Sequence, residues 1–189
     1  QYFDAFYMDW YRLQTTERAS RSRVGWINAY PSSSAQRAPS PTSMSVFSSD
    51  KFGSMDEPVN DSKGSGCLLR AAPIGLSYSD DPAYILDLAA NTAALTHGNE
   101  VAWMASGALA LIISLIIHTE LPITEAVNKT LSALYEAFPD SRKAVNELSS
   151  TIHSAMSLAT SASSDLDAIH ALGKGWVADE ALAIGILCA

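Results

Sequence analysis

Cysteine is scarce in this 189-residue sequence, which contains only Cys67 and Cys188. They have no CxxC spacing and no further cysteines to complete a zinc site, so neither a zinc site nor a disulfide framework is expected. The N-terminus also lacks the basic region and apolar run of a secretory signal. A reducing compartment is therefore the better prediction, and the cytoplasm is the expected location.

Basic residues are also few. The chain has 12 Lys and Arg against 20 Asp and Glu, which gives a formal net charge of −8 and a pI near 4.8. No basic stripe is available to replace counterions along a phosphate backbone, so nucleic acid is not an expected partner. A charge of this size keeps a protein soluble by mutual repulsion, and it fits a soluble cytoplasmic protein.

The sequence also lacks a run of apolar residues long enough to span a membrane. Residues 101–117 carry no charge, but a spanning helix needs roughly 20 consecutive apolar residues. The run is bounded by Glu100, His118 and Glu120 and has no flanking Lys or Arg. The pattern favours a buried core helix, with a transmembrane helix as the less favoured alternative.

No stretch shows convincing strand alternation, and the apolar spacing indicates helices throughout. Residues 20–60 are rich in Ser and Pro and predict a long, mobile loop. Short helices are expected within it near Val24–Ala29 and Thr42–Phe47. The remaining predicted helices cover residues 1–16, 68–76, 82–97, 100–118, 122–138, 140–160, 164–171 and 176–189.

Proline, glycine and aspartate mark some of these ends. Asp80-Asp81-Pro82 predicts a capped helix start, and Pro73 with Gly75 predicts the end of the short helix before it. Apolar residues make up 48% of the chain, enough for a real core. The sequence therefore predicts an all-α fold in a single domain over residues 1–189, with helices packed in layers. The lack of an initiator methionine fits a fragment, and the domain is expected to be incomplete at both ends.

The densest group of residues able to bind a ligand or take part in chemistry is the run Asn60-Asp61-Ser62-Lys63-Gly64-Ser65-Gly66-Cys67-Leu68-Leu69-Arg70. Two glycines flank one small residue just before an apolar helix. Such a turn points backbone N–H groups in one direction and can bind an anion, helped by the hydroxyls of Ser62 and Ser65. The sequence matches neither the dinucleotide fingerprint nor the phosphate loop of nucleotide hydrolases. On spacing alone, an ordinary loop-to-helix connection remains the alternative.

His97 and the pair Trp176 and Glu180 also have an ordinary structural explanation. His97 ends a helix at Leu95-Thr96-His97-Gly98, where a histidine is also favoured by the helix dipole alone. Trp176 and Glu180 are four residues apart and are expected on one helix face, where packing and a solvated acid would explain them.

Taken together, these residues resemble the ADP-ribosylglycohydrolase family. The run from Asn60 to Leu76 is similar to its ADP-ribose-binding loop and following helix. Further matches follow the family's order, and they cover nearly the whole chain: Trp10–Gln14, Arg37–Pro39, Ala94–Gly98 and Trp176–Ile184.

The resemblance implies a compact, orthogonal multi-helix all-α fold. It implies hydrolysis of the glycosidic bond between ADP-ribose and a modified side chain or small molecule, with two magnesium ions. The partner would be ADP-ribose or an ADP-ribosylated protein. Ser62, Lys63, Gly64, Ser65, Gly66 and Cys67 would hold the diphosphate and ribose through backbone N–H groups. Arg70 would support the turn, and His97 would approach the ligand.

The departures from the family are as informative. Its metal ligands lie in a Thr-Asp-Asp-Thr/Ser motif near the N-terminus and an Asp-x-Asp-Ser/Thr-Gly motif after the late helix. Neither is present in this chain. No catalytic or metal-binding residue is therefore identified, and the chain alone is expected to be inactive. The alternative is an inactive ADP-ribose-binding or structural relative, as with lens crystallins. Cys67, where the family often has glycine, is expected to narrow the approach to the turn.

Overall fold

The computed structural model describes residues 2–15, 30, 32, 35–77, 81–162 and 164–189. Across these residues the fold is all-α, as predicted, and the β-structure found there is one isolated bridge between Gly64 and Val177. The helices are α1 (Tyr2–Gln14), α2 (Pro41–Ser49), a 3-10 helix (Ser65–Arg70), α3 (Ala72–Leu76), α4 (Pro82–Ala94), α5 (Glu100–Thr119), α6 (Ile123–Ala137), α7 (Arg142–Ser161), α8 (Asp165–Leu172) and α9 (Ala178–Leu187).

The chain forms two compact units, Gln1–Phe52 and Gly53–Ala189. In the first, aromatic rings pack around the buried Phe47, with Tyr7, Trp10 and Phe52 at ring-centroid distances of 5.9, 6.1 and 5.8 Å. Helix α2 matches the short helix predicted near Thr42–Phe47. The predicted helix at Val24–Ala29 lies outside the described residues, and the single domain stays a prediction.

Helix α5 is the centre of the second unit. It packs against α3, α4, α6, α7, α9 and the 3-10 helix. Among the described helices it is the one long and apolar enough to cross a membrane, with 20 residues and a mean hydropathy of 2.0 over its most apolar window. However, 67% of that window is buried inside the protein. This burial supports the interpretation of α5 as a core helix.

The predicted capping signal at the start of α4 is confirmed. The Asp81 side chain accepts hydrogen bonds from the N–H groups of Ala83 and Tyr84, and Pro82 is the first residue of α4. The Ser164 side chain accepts from the N–H of Asp167 at the start of α8. Asp80, the other acid of the predicted cap, lies outside the described residues.

The predicted short buried helix ended by Pro73 and Gly75 is wrong in detail. Pro73 and Gly75 lie inside α3, and the residues before it form the separate 3-10 helix. A proline is tolerated in the first turn of a helix, where its missing N–H has no partner to lose. Leu69 and Leu76, expected to be buried, are 83% and 56% exposed.

Gly75 has a packing role instead. A Cβ atom built on it would lie 2.3 Å from the carbonyl oxygen of Ala110 on α5. Only a glycine lets the backbones of α3 and α5 approach this closely. The glycine that suggested a helix end therefore marks a helix crossing.

Gly75→Ala should destabilise the protein by about 2 kcal/mol, because the new methyl group collides with backbone that cannot move cheaply. Gly185→Ala is the matched control within α9, since a Cβ there meets nothing within 4 Å. The control should be neutral or stabilising by up to about 1 kcal/mol. Urea denaturation of both variants checks this, and equal stabilities would contradict the packing argument.

Candidate functional site

The glycine turn, residues 62–67, is fixed on one side by Asn60. The Asn60 amide Nδ2 donates to the carbonyl of Thr96 at 2.9 Å, and its Oδ1 accepts from the N–H groups of Ser62 at 2.9 Å and Gly98 at 3.1 Å. A Cβ on Gly98 would lie 1.9 Å from the carbonyl oxygen of Asn60. The turn is thereby held against the chain that follows α4.

On its other side the turn pairs with the bridge segment, residues 176–178. The N–H of Ser65 donates to the carbonyl of Trp176 at 3.0 Å, and the N–H of Ala178 donates to the carbonyl of Lys63 at 2.9 Å. These bonds form the antiparallel bridge between Gly64 and Val177. Helix α9 therefore begins at Ala178, later than predicted, because Trp176 and Val177 are used in this pairing.

A second glycine turn, residues 173–175, supports the bridge segment. Gly173 and Gly175 have φ values of 121° and 71°, which favour glycine. The Glu180 carboxylate accepts from the N–H groups of Lys174 and Gly175, both at 3.1 Å. The expectation that Glu180 is a solvated acid is therefore wrong, since its carboxylate binds this turn. Trp176 is not packed on a helix face either, because it precedes α9 and is 77% exposed.

Gly64 sits at the centre of the bridge but is not forced to be glycine by the protein. Its φ of −58° and ψ of 147° are accessible to any residue. A Cβ built on it would be 3.4 Å from Ser62 Oγ and 3.6 Å from His97 Nε2, both ordinary contacts. Neither backbone strain nor internal packing accounts for the absence of a side chain at this position.

The polar groups of the turn are partly used within it. Ser62 Oγ accepts from the N–H of Gly64 at 3.4 Å, and the N–H of Ser65 is taken by Trp176. The N–H of Gly66 is the second of the 3-10 helix, a position that has no partner inside such a helix. The turn thus retains backbone donor capacity at its half-buried surface.

Cys67 is directed into the core. Its side chain is 0% exposed, and its Sγ lies 3.4 Å from the carbonyl oxygen of Gly64 and 3.5 Å from that of Ala102. Burial raises the pKa of the thiol. The expectation that this side chain narrows the turn is wrong, because the sulfur lies on the inner side.

Lys63 points away from the turn into a group of opposite charges. Its Nζ lies 2.5 Å from Glu147 Oε1 on α7 and 2.9 Å from Asp179 Oδ2 on α9. Partial burial lowers the pKa of Lys63, but hydrogen bonds to Asp179 and Glu147 and their charges outweigh it, so the net shift is upward. Lys63, Glu147 and Asp179 are called the Lys63 cluster below.

His97 lies beneath the turn and is 0% exposed. Its Nδ1 is 2.8 Å from Thr96 Oγ1, which also accepts a hydrogen bond from the Arg70 guanidinium. Arg70 donates to the carbonyl of Ala93 as well, at 3.0 Å. Arg70 therefore ties the 3-10 helix to the end of α4, in the supporting role that the resemblance implied.

His97 is neutral in the folded protein. Burial first, and then the charge of Arg70, lowers the pKa of His97 from 6.5 to about 4, so the ring is neutral at pH 7. Arg70 donates to Thr96 Oγ1, which keeps a second lone pair and its own proton, so the hydrogen bond between Thr96 Oγ1 and His97 Nδ1 can run in either direction. His97 Nε2 faces Gly64 and has no hydrogen-bond partner among the described residues.

The site residues do not fit a pair of magnesium ions. Among the described residues, no group of three or more His, Cys, Asp or Glu side chains is arranged to hold a metal ion. Magnesium takes several oxygen ligands in near-octahedral geometry, which carboxylates usually supply in part. Two acids beside the turn, Glu147 and Asp179, are already paired with Lys63, and Asp61, which precedes the turn, accepts a hydrogen bond from Asn99 at 2.9 Å.

The family model for ADP-ribosylglycohydrolase matches residues 2–189, essentially the whole chain. The chain belongs to the ADP-ribosylglycohydrolase family. No individual curated protein and no solved structure matches it significantly. Its described residues have the all-α fold of that family, and the resemblance found in the sequence is confirmed.

The structure brings Ser62, Gly64 and His97 together and directs the side chains of Lys63 and Cys67 away from the surface of the turn. Roles for Ser62–Cys67 and His97 in ligand binding stay predictions. Asp179 was not singled out from the sequence, and the roles of Asn60 and Glu180 in holding the turn and its bridge segment were not predicted. The Asn60-Asp61-Ser62 order is typical of a side chain that bonds the backbone two residues on, and this signal could have identified Asn60.

The buried neutral His97 should make the protein less stable in mild acid. Its pKa is lower in the folded state, so the unfolded chain binds the proton first as pH falls below 6.5. Stability from this residue is complete above pH 6.5 and is lost progressively down to about pH 4. Between pH 7.5 and pH 4.5, the free energy of unfolding should fall by about 2 kcal/mol less in His97→Gln than in the parent protein. Urea denaturation at both pH values measures it, and an unchanged difference would contradict the assignment.

Proposed function

We propose that the glycine turn, Ser62–Cys67, binds the diphosphate of ADP-ribose through backbone N–H groups that are not bonded within the protein. The N–H groups of Ser62, Gly64 and Ser65 are already used within it, whereas the N–H of Gly66 has no partner inside the 3-10 helix and is the leading donor. The proposal rests mainly on Gly64. The protein has room for a Cβ there, so the reason for glycine lies outside the protein, in the close approach of a ligand.

The two neighbours of the turn supply complementary groups. Next to Gly64, His97 Nε2 has no hydrogen-bond partner among the described residues, and we propose that it carries the ring proton, whose N–H dipole favours negative charge at the turn. Beside it, Trp176 presents an indole that is 77% exposed on the segment bonded to Ser65. An exposed aromatic ring next to a diphosphate site is suited to stack on a nucleobase, which here is adenine.

The family acts by glycoside hydrolysis, and the chemistry proposed for the complete centre is cleavage of an ADP-ribosyl bond. Two magnesium ions, where bound, would orient and polarise the reacting groups. The described residues do not supply their ligands, so no step is assigned to this chain. We propose that the chain binds ADP-ribose or an ADP-ribosylated protein without cleaving it, in a reducing cytoplasm.

Two candidate functions fit a chain that does not cleave by itself. In the first, carboxylates from elsewhere complete the centre of a hydrolase. In the second, the protein is a catalytically inactive ADP-ribose-binding or structural relative, a candidate raised by the lack of a metal-ligand group among the described residues. Turnover by these 189 residues alone is expected in neither.

Calorimetric titration of ADP-ribose should give the same dissociation constant, within about twofold, in magnesium and in EDTA. Backbone donors need no metal to bind the diphosphate. In parallel, the purified chain should release no ADP-ribose from arginine- or serine-ADP-ribosylated peptides in magnesium buffer. Magnesium-dependent affinity or turnover would contradict the proposed division between binding and cleavage.

Gly64→Ala should weaken ADP-ribose binding about tenfold or more while leaving stability within about 0.5 kcal/mol of the parent. The methyl group fits the protein beside Ser62 Oγ and His97 Nε2, but it takes space next to the turn that the proposed ligand would need. Gly185→Ala is the matched control, because it adds the same methyl group to α9 where nothing lies within 4 Å. Titration and thermal unfolding of both variants provide the measurement, and unchanged affinity in Gly64→Ala would remove the main support for this site.

A further inference from the structure

The side chain of Lys63 is engaged away from the surface where the turn would bind an anion. Its ammonium group contacts Asp179 on α9 and Glu147 on α7. A lysine beside a proposed diphosphate site would ordinarily be assigned to the phosphate. The geometry here indicates a different role.

Asp179 is the buried member of the Lys63 cluster. Its side chain is 6% exposed, and its Oδ2 accepts from Lys63 at 2.9 Å and from Thr151 at 3.4 Å. Its Oδ1 has no hydrogen-bond partner within the described part of the chain. A carboxylate buried in this way depends on its cation, because removing one partner leaves an uncompensated charge. The Glu147 side chain is 46% exposed, so its pair with Lys63 contributes less.

The main chain and side chain of Lys63 are attached to the same place. Its carbonyl accepts from the N–H of Ala178, and its ammonium group binds Asp179, the next residue. The side chain thus adds a second connection beside the bridge between Gly64 and Val177. Two connections at adjacent residues fix both the position and the orientation of the turn relative to α9.

We propose that Lys63 is a positioning residue, held by Asp179 and Glu147, that sets the backbone N–H groups of the glycine turn without contacting the ligand. The inference deepens and rests on the proposed binding of ADP-ribose at this turn. It assigns specificity to the backbone: the diphosphate is recognised by N–H groups in a fixed arrangement, while the nearest lysine charge is neutralised by two carboxylates.

The two roles of Lys63 predict opposite effects of Asp179→Asn. If Lys63 contacted phosphate, Asp179→Asn would release its charge and leave affinity for ADP-ribose unchanged or higher. If Lys63 positions the turn, Asp179→Asn and Lys63→Met should each weaken binding about tenfold, and the double variant should bind no more weakly than either single variant.

Glu147→Gln should weaken binding less than about threefold. Lys129→Met, an exposed lysine change on α6, is the control and should bind as the parent does.

Amide hydrogen exchange tests the same inference independently of any ligand. Asp179→Asn should speed exchange at the N–H groups of Ser65 and Ala178, which form the bridge. The N–H of Gly98, held by Asn60, should be unaffected because its hydrogen bond does not involve the Lys63 cluster. Lys63→Arg, which keeps the charge, should restore most of the protection lost in Lys63→Met.

These readouts separate failure of the inference from failure of the proposed function. Absence of ADP-ribose binding by the parent chain would overturn the proposed function, while faster exchange at Ser65 and Ala178 would still support the positioning of the turn. Tighter binding in Asp179→Asn, or unchanged exchange at both amides, would overturn the positioning role. If Asp179→Asn does not fold, Lys63→Met and Glu147→Gln still test the exchange prediction at the same two amides.

Discussion

The burial of α5 is the constraint on which the rest of the second unit depends. A 20-residue helix with this hydropathy is stable in water only if other elements cover it. The 3-10 helix, α4 and α9 are among the elements that cover it, and the glycine turn, His97 and the bridge segment adjoin their ends. The site therefore lies at the ends of helices whose positions are determined by their packing on α5.

Main-chain contacts define the site more than side chains do. The turn is held by the Asn60 amide on one side and by backbone pairing with residues 176–178 on the other. The charged groups next to it are used for support: Arg70 binds the end of α4, Lys63 binds two carboxylates, and Glu180 binds the second glycine turn. If the turn binds an anion as proposed, fixed N–H donors beside a Lys63 already paired with two carboxylates would select the shape of the anion rather than its charge alone.

The fold was largely predictable from the sequence because its signals are local. The apolar spacing predicted α5, α6 and α7 closely, and Asp81 with Pro82 predicted the start of α4. Residue types that serve more than one structural role gave wrong predictions. Pro73 lies in the first turn of a helix instead of ending one, and Gly75 permits a helix crossing. The direction of Lys63 and Cys67 could not be predicted, since it depends on α7, α9 and the core, which are distant in sequence. Family resemblance identified the turn, but only the packing around it shows which groups face outward.

The account's central claim is that the backbone of the glycine turn recognises ADP-ribose. Amide chemical-shift mapping of the isotope-labelled chain during ADP-ribose titration tests it most directly. The account predicts that the largest shifts fall on Gly64, Ser65 and Gly66, with the Trp176 indole N–H also affected. Saturable shifts centred on another part of the chain, or none at millimolar ADP-ribose, would contradict it.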